Sequence, residues 1–181
     1  MGKQNRKEEF RIDCLRRLKK RGKKSNYKND KKVIHMLLKY IKEEKMTSLV
    51  LYLPLKMEVN IYPLITQLRK EKKQLYVPFM EGKSFRLVKY RLPLRLKQFG
   101  IKEPNDSKQY RNKKIDLAIV PMVGVDLTLR RVGFGKGMYD RFFEKECKNI
   151  NKVVFVAREF CYAKEVITDH YDVEADMIIT P

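Results

Sequence analysis

Between Arg130 and Arg141 the chain reads Arg-Arg-Val-Gly-Phe-Gly-Lys-Gly-Met-Tyr-Asp-Arg. Alternating glycines at 133, 135 and 137 let a backbone turn sharply and let an anion approach its N–H groups. Lys136 adds a mobile cation and Arg131 a second. Asp140 is a carboxylate of the kind that Mg²⁺ takes together with phosphate oxygens. The chemistry these types suit is phosphate handling. The run is not a Walker A loop, which needs Ser or Thr directly after Gly-Lys, where Gly137 stands. Nor is it the G-x-G-x-x-G dinucleotide fingerprint. A glycine turn with a solvated lysine fits the bare G-x-G-x-G equally well. The flanking Arg-Arg and Tyr-Asp-Arg are what such a turn does not require.

These residues need a frame. Ile115–Pro121 is a short apolar run and reads as a buried strand. Tyr139 to Cys147 is amphipathic and reads as a helix, with Tyr139 packing its start. Strand, glycine loop and helix together present a helix N-terminus to an anion. Upstream, Phe10, Cys14 and Leu18 recur every fourth residue on a first helix, and Lys7 and Arg11 share another face of it. Residues 22–29 read as a break, with Asp30 capping a second helix to about Lys45. Leu49–Leu53, Leu75–Pro78, Val153–Ala157 and Met177–Ile179 read as further strands, Ser84–Tyr90 as an added one, and Ile61–Lys70 as a helix. Residues 91–114 read as an extended surface connection. Strands alternating with helices predict one α/β domain over residues 1–181, a three-layer αβα sandwich on a mostly parallel sheet. Ligands in such sheets collect at the carboxyl ends of the strands.

Composition narrows the class. The 181 residues are 43% hydrophobic with ten Tyr, as for a folded domain. No apolar run spans a membrane and no signal-peptide core opens the chain. Cys14, Cys147 and Cys161 are odd in number and lack C-x-x-C spacing, which reads as a reducing cytoplasm without a disulfide frame. With only His35 and His170, a structural zinc site is not expected. The formal net charge is +20, and residues 1–45 carry 17 Lys/Arg against 6 Asp/Glu. That density admits nucleic-acid binding, solvated helix faces, or steering of anionic small molecules. No nucleic-acid motif accompanies it, so no specific nucleic acid is expected.

The loop resembles the signature of the 5-formyltetrahydrofolate cyclo-ligase family, R-x-G-x-G-(G/K)-G-Y-Y-D-R. The likeness runs along nearly the whole chain, in order: Lys7 to Arg11; Tyr52-Leu53-Pro54 through Glu58-Val59; Phe99-Gly100-Ile101-Lys102-Glu103-Pro104; Asp116 to Pro121 with Gly124-Val125-Asp126; and Asp172 to Asp176 with Ile178-Ile179-Thr180. Met138 departs from the usual Tyr, Val125 from Phe and Glu174 from Pro, and no glycine follows Asp126-Leu127-Thr128 closely.

The resemblance implies an ATP- and Mg²⁺-dependent enzyme. It closes 5-formyltetrahydrofolate to 5,10-methenyltetrahydrofolate through a phosphorylated formyl group, releasing ADP and phosphate. It implies that Lys136 and Arg131 are catalytic, neutralising the moving phosphoryl group. Lys7, Arg11, Arg131, Gly133, Phe134, Gly135, Lys136, Gly137, Met138 and Tyr139 would bind ATP. Leu53, Glu58, Phe99, Phe134, Gly135, Lys136, Gly137 and Met138 would bind folate, possibly polyglutamylated. Asp140 and Asp176 would hold magnesium. Taken singly, each has a plainer reading: Lys7 and Arg11 as a solvated face, Asp140 as a helix-start acid, Asp176 as a turn residue, Glu58 as a surface carboxylate, Phe99 and Phe134 as core. Two other functions stay open: a basic RNA-binding protein without catalysis, and another α/β enzyme acting on a phosphorylated small molecule.

Overall fold

Continuously apolar strands have two faces to bury, so helices must cover both. A computed structural model describes residues 2–21, 23–97, 102–106 and 114–181. In chain order its elements are α1 Lys3–Lys20, α2 Lys23–Glu43, β1 Ser48–Val50, α3 Tyr62–Lys70, β2 Gln74–Glu81, β3 Ser84–Lys89, β4 Arg95–Leu96, β5 Lys102–Glu103, β6 Ile115–Pro121, β7 Gly124–Val125, β8 Arg131–Val132, α4 Met138–Glu146, β9 Ile150–Val156 and β10 Met177–Ile179. The main sheet has six strands in the order β10-β9-β6-β1-β2-β3. Five run parallel, and β3 returns antiparallel at the edge through a tight hairpin from β2.

One face packs Val33, Leu37 and Ile41 of α2 and Leu64, Ile65 and Leu68 of α3 against Leu49, Val77, Ile119 and Val154. The other packs Phe142 and Phe143 of α4 against Tyr76, Phe85, Ala118, Val120 and Phe155. These are the three layers that alternating strands and helices predict. Among the described residues no helix is long and apolar enough to cross a membrane.

The first helix joins neither layer. Its stripe of Phe10, Cys14 and Leu18 turns to the carboxyl edge of the sheet, where Cys14 packs with Val123 and Cys161. Cys14 and Cys161 form a disulfide across 147 residues of sequence, and Cys147 is free. The expectation of no disulfide is therefore corrected. Spacing along the chain carries no sign of two thiols brought together by the docking of α1 on the loop after β9.

A second correction concerns Asp30. Helix α2 begins at Lys23, inside the expected break, so Asp30 lies within the helix rather than at its cap. Its carboxylate takes a two-pronged contact from buried Arg158, at 2.7 and 2.8 Å. Asn29 and Arg21 both donate to the Arg158 carbonyl. A weak helix former is tolerated where tertiary bonds hold the segment. In the expected connection after β3, β4 and β5 pair antiparallel, and the remainder lies partly outside the described residues.

Candidate functional site

Five parallel strands send their carboxyl ends to one edge, and the site is built from the segments that leave those ends. After β1 come Tyr52, Leu53 and Glu58. After β2 comes the turn into β3. After β6 the chain makes the small β7–β8 ribbon, then the glycine loop, then α4. After β9 the chain folds back beneath α1. Two cavities open along this edge, and the glycine loop divides them.

The first cavity, about 190 Å³, is mostly apolar. Tyr52, Leu53, Leu55 and Glu58 line one side, and Pro78, Met80 and Phe85 from β2 and β3 line the next. Phe134, Lys136, Met138, Tyr139 and Arg131 close it. Glu58 Oε2 accepts the Leu55 N–H at 2.7 Å. Burial raises the Glu58 carboxyl from its ordinary 4.5 to about 7, against the pull of that N–H and of Arg131 and Arg158. Among the described residues it is the one acid in this apolar wall, poised between charged and neutral forms.

The second cavity, about 460 Å³, is polar. Lys7 and Arg11 reach it from α1, Gly133 and Gly135 from the loop, Asp140, Arg141 and Glu144 from α4, and His170, Tyr171 and Asp172 from the segment before β10. Arg11 Nε donates to the Gly133 carbonyl at 2.8 Å. Lys7 Nζ lies 2.5 Å from Asp172 Oδ2, which also accepts the Asp169 N–H. α4 starts directly from this loop and has no side-chain cap at Gly137, so the positive end of its dipole lies at the loop.

The loop works as a partition. Gly133 and Gly135 face the polar cavity, Phe134, Lys136 and Met138 face the apolar one, and Gly137 lines both. Gly135 and Gly137 hold φ at 95° and 59°, which side chains rarely adopt. At Gly133 the reason for glycine is space: a Cβ there would lie 2.5 Å from the Arg131 guanidinium. Arg131 is buried, donates to the Pro121 carbonyl at 2.9 Å, and stacks 4.9 Å from the Tyr139 ring centre. It is thus placed behind the loop and against the apolar cavity, not as an exposed clamp in the polar one. Met138 and Tyr139 likewise face the apolar side, although the family resemblance assigns them to ATP.

The expected metal pair does not assemble. Asp140 Oδ1 is buried without a hydrogen-bond partner, and its nearest ionic neighbour, Arg131 Nη1, is 3.7 Å away. Asp140 also lines the polar cavity, and a carboxylate there fits one magnesium ligand, since Mg²⁺ takes one or two carboxylates plus phosphate oxygens. Asp176 is elsewhere. Its Oδ2 accepts the Val153 N–H at 2.7 Å and its Oδ1 pairs with Lys152 at 3.7 Å. The reason is topological: Asp176 precedes a parallel strand and so sits toward its amino end, whereas Asp140 follows a carboxyl end. Among the described residues no group of three His, Cys, Asp or Glu could hold a metal by itself.

Leu53, Glu58, Phe134, Lys136, Gly137 and Met138 come together as expected residues of one cavity. Phe99 lies outside the described residues. Pro78, Met80, Phe85, His170 and Tyr171 line the cavities without any local sequence sign, and Asp172, which the resemblance includes without a role, lines the polar one. Asp126, which the resemblance includes, is structural. Its burial favours the neutral acid, but hydrogen bonds from Thr168 and Thr128 outweigh this and lower it to about 2.

Comparison with known proteins agrees with this architecture. The 5-formyltetrahydrofolate cyclo-ligase family matches residues 3–181. A probable 5-formyltetrahydrofolate cyclo-ligase of Schizosaccharomyces pombe is 30% identical over 143 residues, covering 70% of each chain. A 5-formyltetrahydrofolate cyclo-ligase of Haemophilus influenzae is 26% identical over 151 residues, covering 80% of this chain and 81% of its own. The Aquifex aeolicus 5,10-methenyltetrahydrofolate synthetase superposes with a TM-score of 0.79 at 31% identity, over 95% of this chain and 88% of that one. With a family match that runs from residue 3 to residue 181, this chain belongs to the 5-formyltetrahydrofolate cyclo-ligase family.

Proposed function

We propose that the enzyme converts 5-formyltetrahydrofolate to 5,10-methenyltetrahydrofolate with ATP and Mg²⁺, releasing ADP and phosphate. In this reading the triphosphate lies in the polar cavity and the reduced pterin in the apolar one. The formyl oxygen attacks the γ-phosphorus and ADP leaves. The neighbouring ring-substituent nitrogen then closes on the formyl carbon of this iminophosphate, and phosphate is expelled. Phosphorylation makes a poor amide-oxygen leaving group a good one. Positioning and charge neutralisation suffice for such a transfer, so no covalent nucleophile is required.

Each residue has its part. Lys7 and Arg11 bind phosphate oxygens beside the Gly133 and Gly135 backbone. Lys136, from the partition, neutralises charge on the phosphoryl group as it passes toward the formyl oxygen. Arg131 supports that charge from beneath the loop. Glu58, as carboxylate, accepts hydrogen bonds from the pterin, while Leu53, Phe134 and Met138 exclude water. Asp140 supplies one oxygen to Mg²⁺, which when bound offsets phosphate charge. The +20 charge supports capture of ATP and of folates with glutamate tails. Residence in the cytoplasm, where ATP is available, belongs to the same proposal.

The single observation that carries this reading is the shared wall: Gly137 lines both cavities, so ligands in the two would meet there. The test is methenyl-folate absorbance from purified protein given 5-formyltetrahydrofolate, Mg²⁺ and ATP. Product should appear only with ATP. Its absence from folded protein would overturn the proposal.

A further inference from the structure

The loop that divides the two cavities is tied to a distant hairpin by the guanidinium of one side chain of α4. Arg141, in the first turn of α4, donates through Nε and Nη2 to the Lys83 carbonyl at 2.9 and 2.6 Å. Nη2 also donates to the Lys136 carbonyl at 2.6 Å. Lys83 belongs to the turn between β2 and β3, whose strands carry Met80 and Phe85 into the apolar cavity. Lys136 is the loop residue that the proposed reaction uses most. The guanidinium also lies over Gly137, where a Cβ would come within 2.8 Å of Nη1. The rigid guanidinium fork is suited to holding two carbonyls at once.

The hairpin has further ties to the same helix start. Phe85 stacks on Phe142 with ring centres 4.5 Å apart and meets Tyr139 edge-on at 5.1 Å. Those contacts hold the strand to the helix body. The loop backbone at Lys136 is bonded by Arg141, and Ser84 Oγ of the hairpin adds a longer contact to the Met138 carbonyl at 3.4 Å.

From this we infer that Arg141 is a positioning residue for the reaction: it locks the Lys136 backbone to the β2–β3 turn and so fixes the phosphate loop relative to the pterin wall. The inference rests on the reaction proposed above and deepens it. A latch of this kind acts on geometry between two bound ligands and not on the hold on either one. A misplacement of about 1 Å in a reacting pair costs on the order of 10²-fold in rate.

The test uses Arg141→Ala and Arg141→Lys in the full chain, with three readouts. These are kcat and KM for cyclisation, ADP affinity by calorimetry, and amide hydrogen exchange over residues 82–85. In Arg141→Ala, kcat should fall about 10²-fold. ADP affinity should stay near the wild-type value, and exchange at the turn should accelerate. Arg141→Lys should recover part of kcat, since an ammonium can hold one carbonyl. Lost ADP affinity with kcat kept at saturating ATP would make Arg141 a plain phosphate contact and overturn the latch. Unchanged exchange at the turn would overturn it as well. If Arg141→Ala does not fold, Arg141→Lys is read by the same criteria, with a partial loss of kcat and faster exchange expected. If wild-type protein shows no cyclisation, the proposed reaction falls, while exchange over residues 82–85 still decides whether the latch exists.

Discussion

The two cavities differ in what they ask of the chain. The polar one is made by backbone and by cations borrowed from a helix outside the sheet layers: Gly133, Gly135, Lys7 and Arg11. The apolar one is made by side chains, from strands β2 and β3, the segment after β1, the loop and the start of α4, and among the described residues its one acid is Glu58. A phosphate chain needs N–H groups and charge and little shape, so a loop and a docked helix suffice. A flat heterocycle needs a rigid wall with few, placed polar groups. The partition meets both needs by alternation, with glycines to one side and Phe134, Lys136 and Met138 to the other. Between Gly133 and Gly137, Lys136 is then the cation presented to the apolar side.

That division is broken most severely at Lys136. Replacement by Ala removes a charge contact that matters most in the transition state, so kcat should fall on the order of 10²-fold or more. Folate and ADP affinities should change much less. Steady-state kinetics with separate binding titrations check this, and an unchanged kcat refutes the role given to Lys136.

The polar side alone should respond to Arg11→Ala. It loses the bond to the Gly133 carbonyl and, in the proposed reaction, a phosphate partner. A hydrogen bond to a charged group contributes about 1.5–3 kcal/mol, which corresponds to roughly tenfold or more in ADP affinity. Calorimetry should show that loss with folate binding retained. Equal losses for both ligands would blur the division drawn here.

The apolar side alone should respond to pH through Glu58. The folded value of about 7 lies above the ordinary 4.5. The stability this group contributes is therefore fully present below about 4.5 and is lost as pH rises through about 7. Folate binding should run the other way, strengthening as the carboxylate forms across pH 7. Glu58→Gln should flatten both profiles. Denaturant melts and folate titrations across that range are the measurements, and a wild-type folate affinity independent of pH removes Glu58 from recognition.

The smallest effect is expected at Asp176. Asp140→Asn should raise the Mg²⁺ concentration needed for half-maximal rate, whereas Asp176→Asn should leave it near the wild-type value. Magnesium titrations of both variants decide the matter, and a large shift at Asp176 would restore it as a ligand.

Much of the frame was legible in the residues. The strands were visible because Leu49–Leu53, Ile115–Val120 and Val153–Ala157 are apolar runs of strand length, and α4 because its apolar residues recur at helical spacing. The glycine loop was visible because glycine at alternate positions is costly without a use. What escaped was long-range pairing. Asp30 has its partner Arg158 on the far side of the sequence, and Cys14 has Cys161. Neither leaves a local trace. Pro78, Met80 and Phe85 enter the apolar cavity because their hairpin abuts α4, a fact of topology and not of pattern. Asp176 was misplaced by order along the chain, although its position before a parallel strand already put it at the wrong end for a ligand.

The central claim is that nucleotide and pterin occupy separate cavities on either side of the Gly133–Gly137 partition. A crystal structure of the wild-type protein with ADP, Mg²⁺ and a 5-formyltetrahydrofolate analogue tests it most directly. Phosphate oxygens should lie against Lys7, Arg11 and the Gly133–Gly135 backbone, and the pterin between Leu53 and Phe134 with Glu58 on its polar edge. A pterin seated in the polar cavity, or a nucleotide bound away from this loop, would contradict the claim.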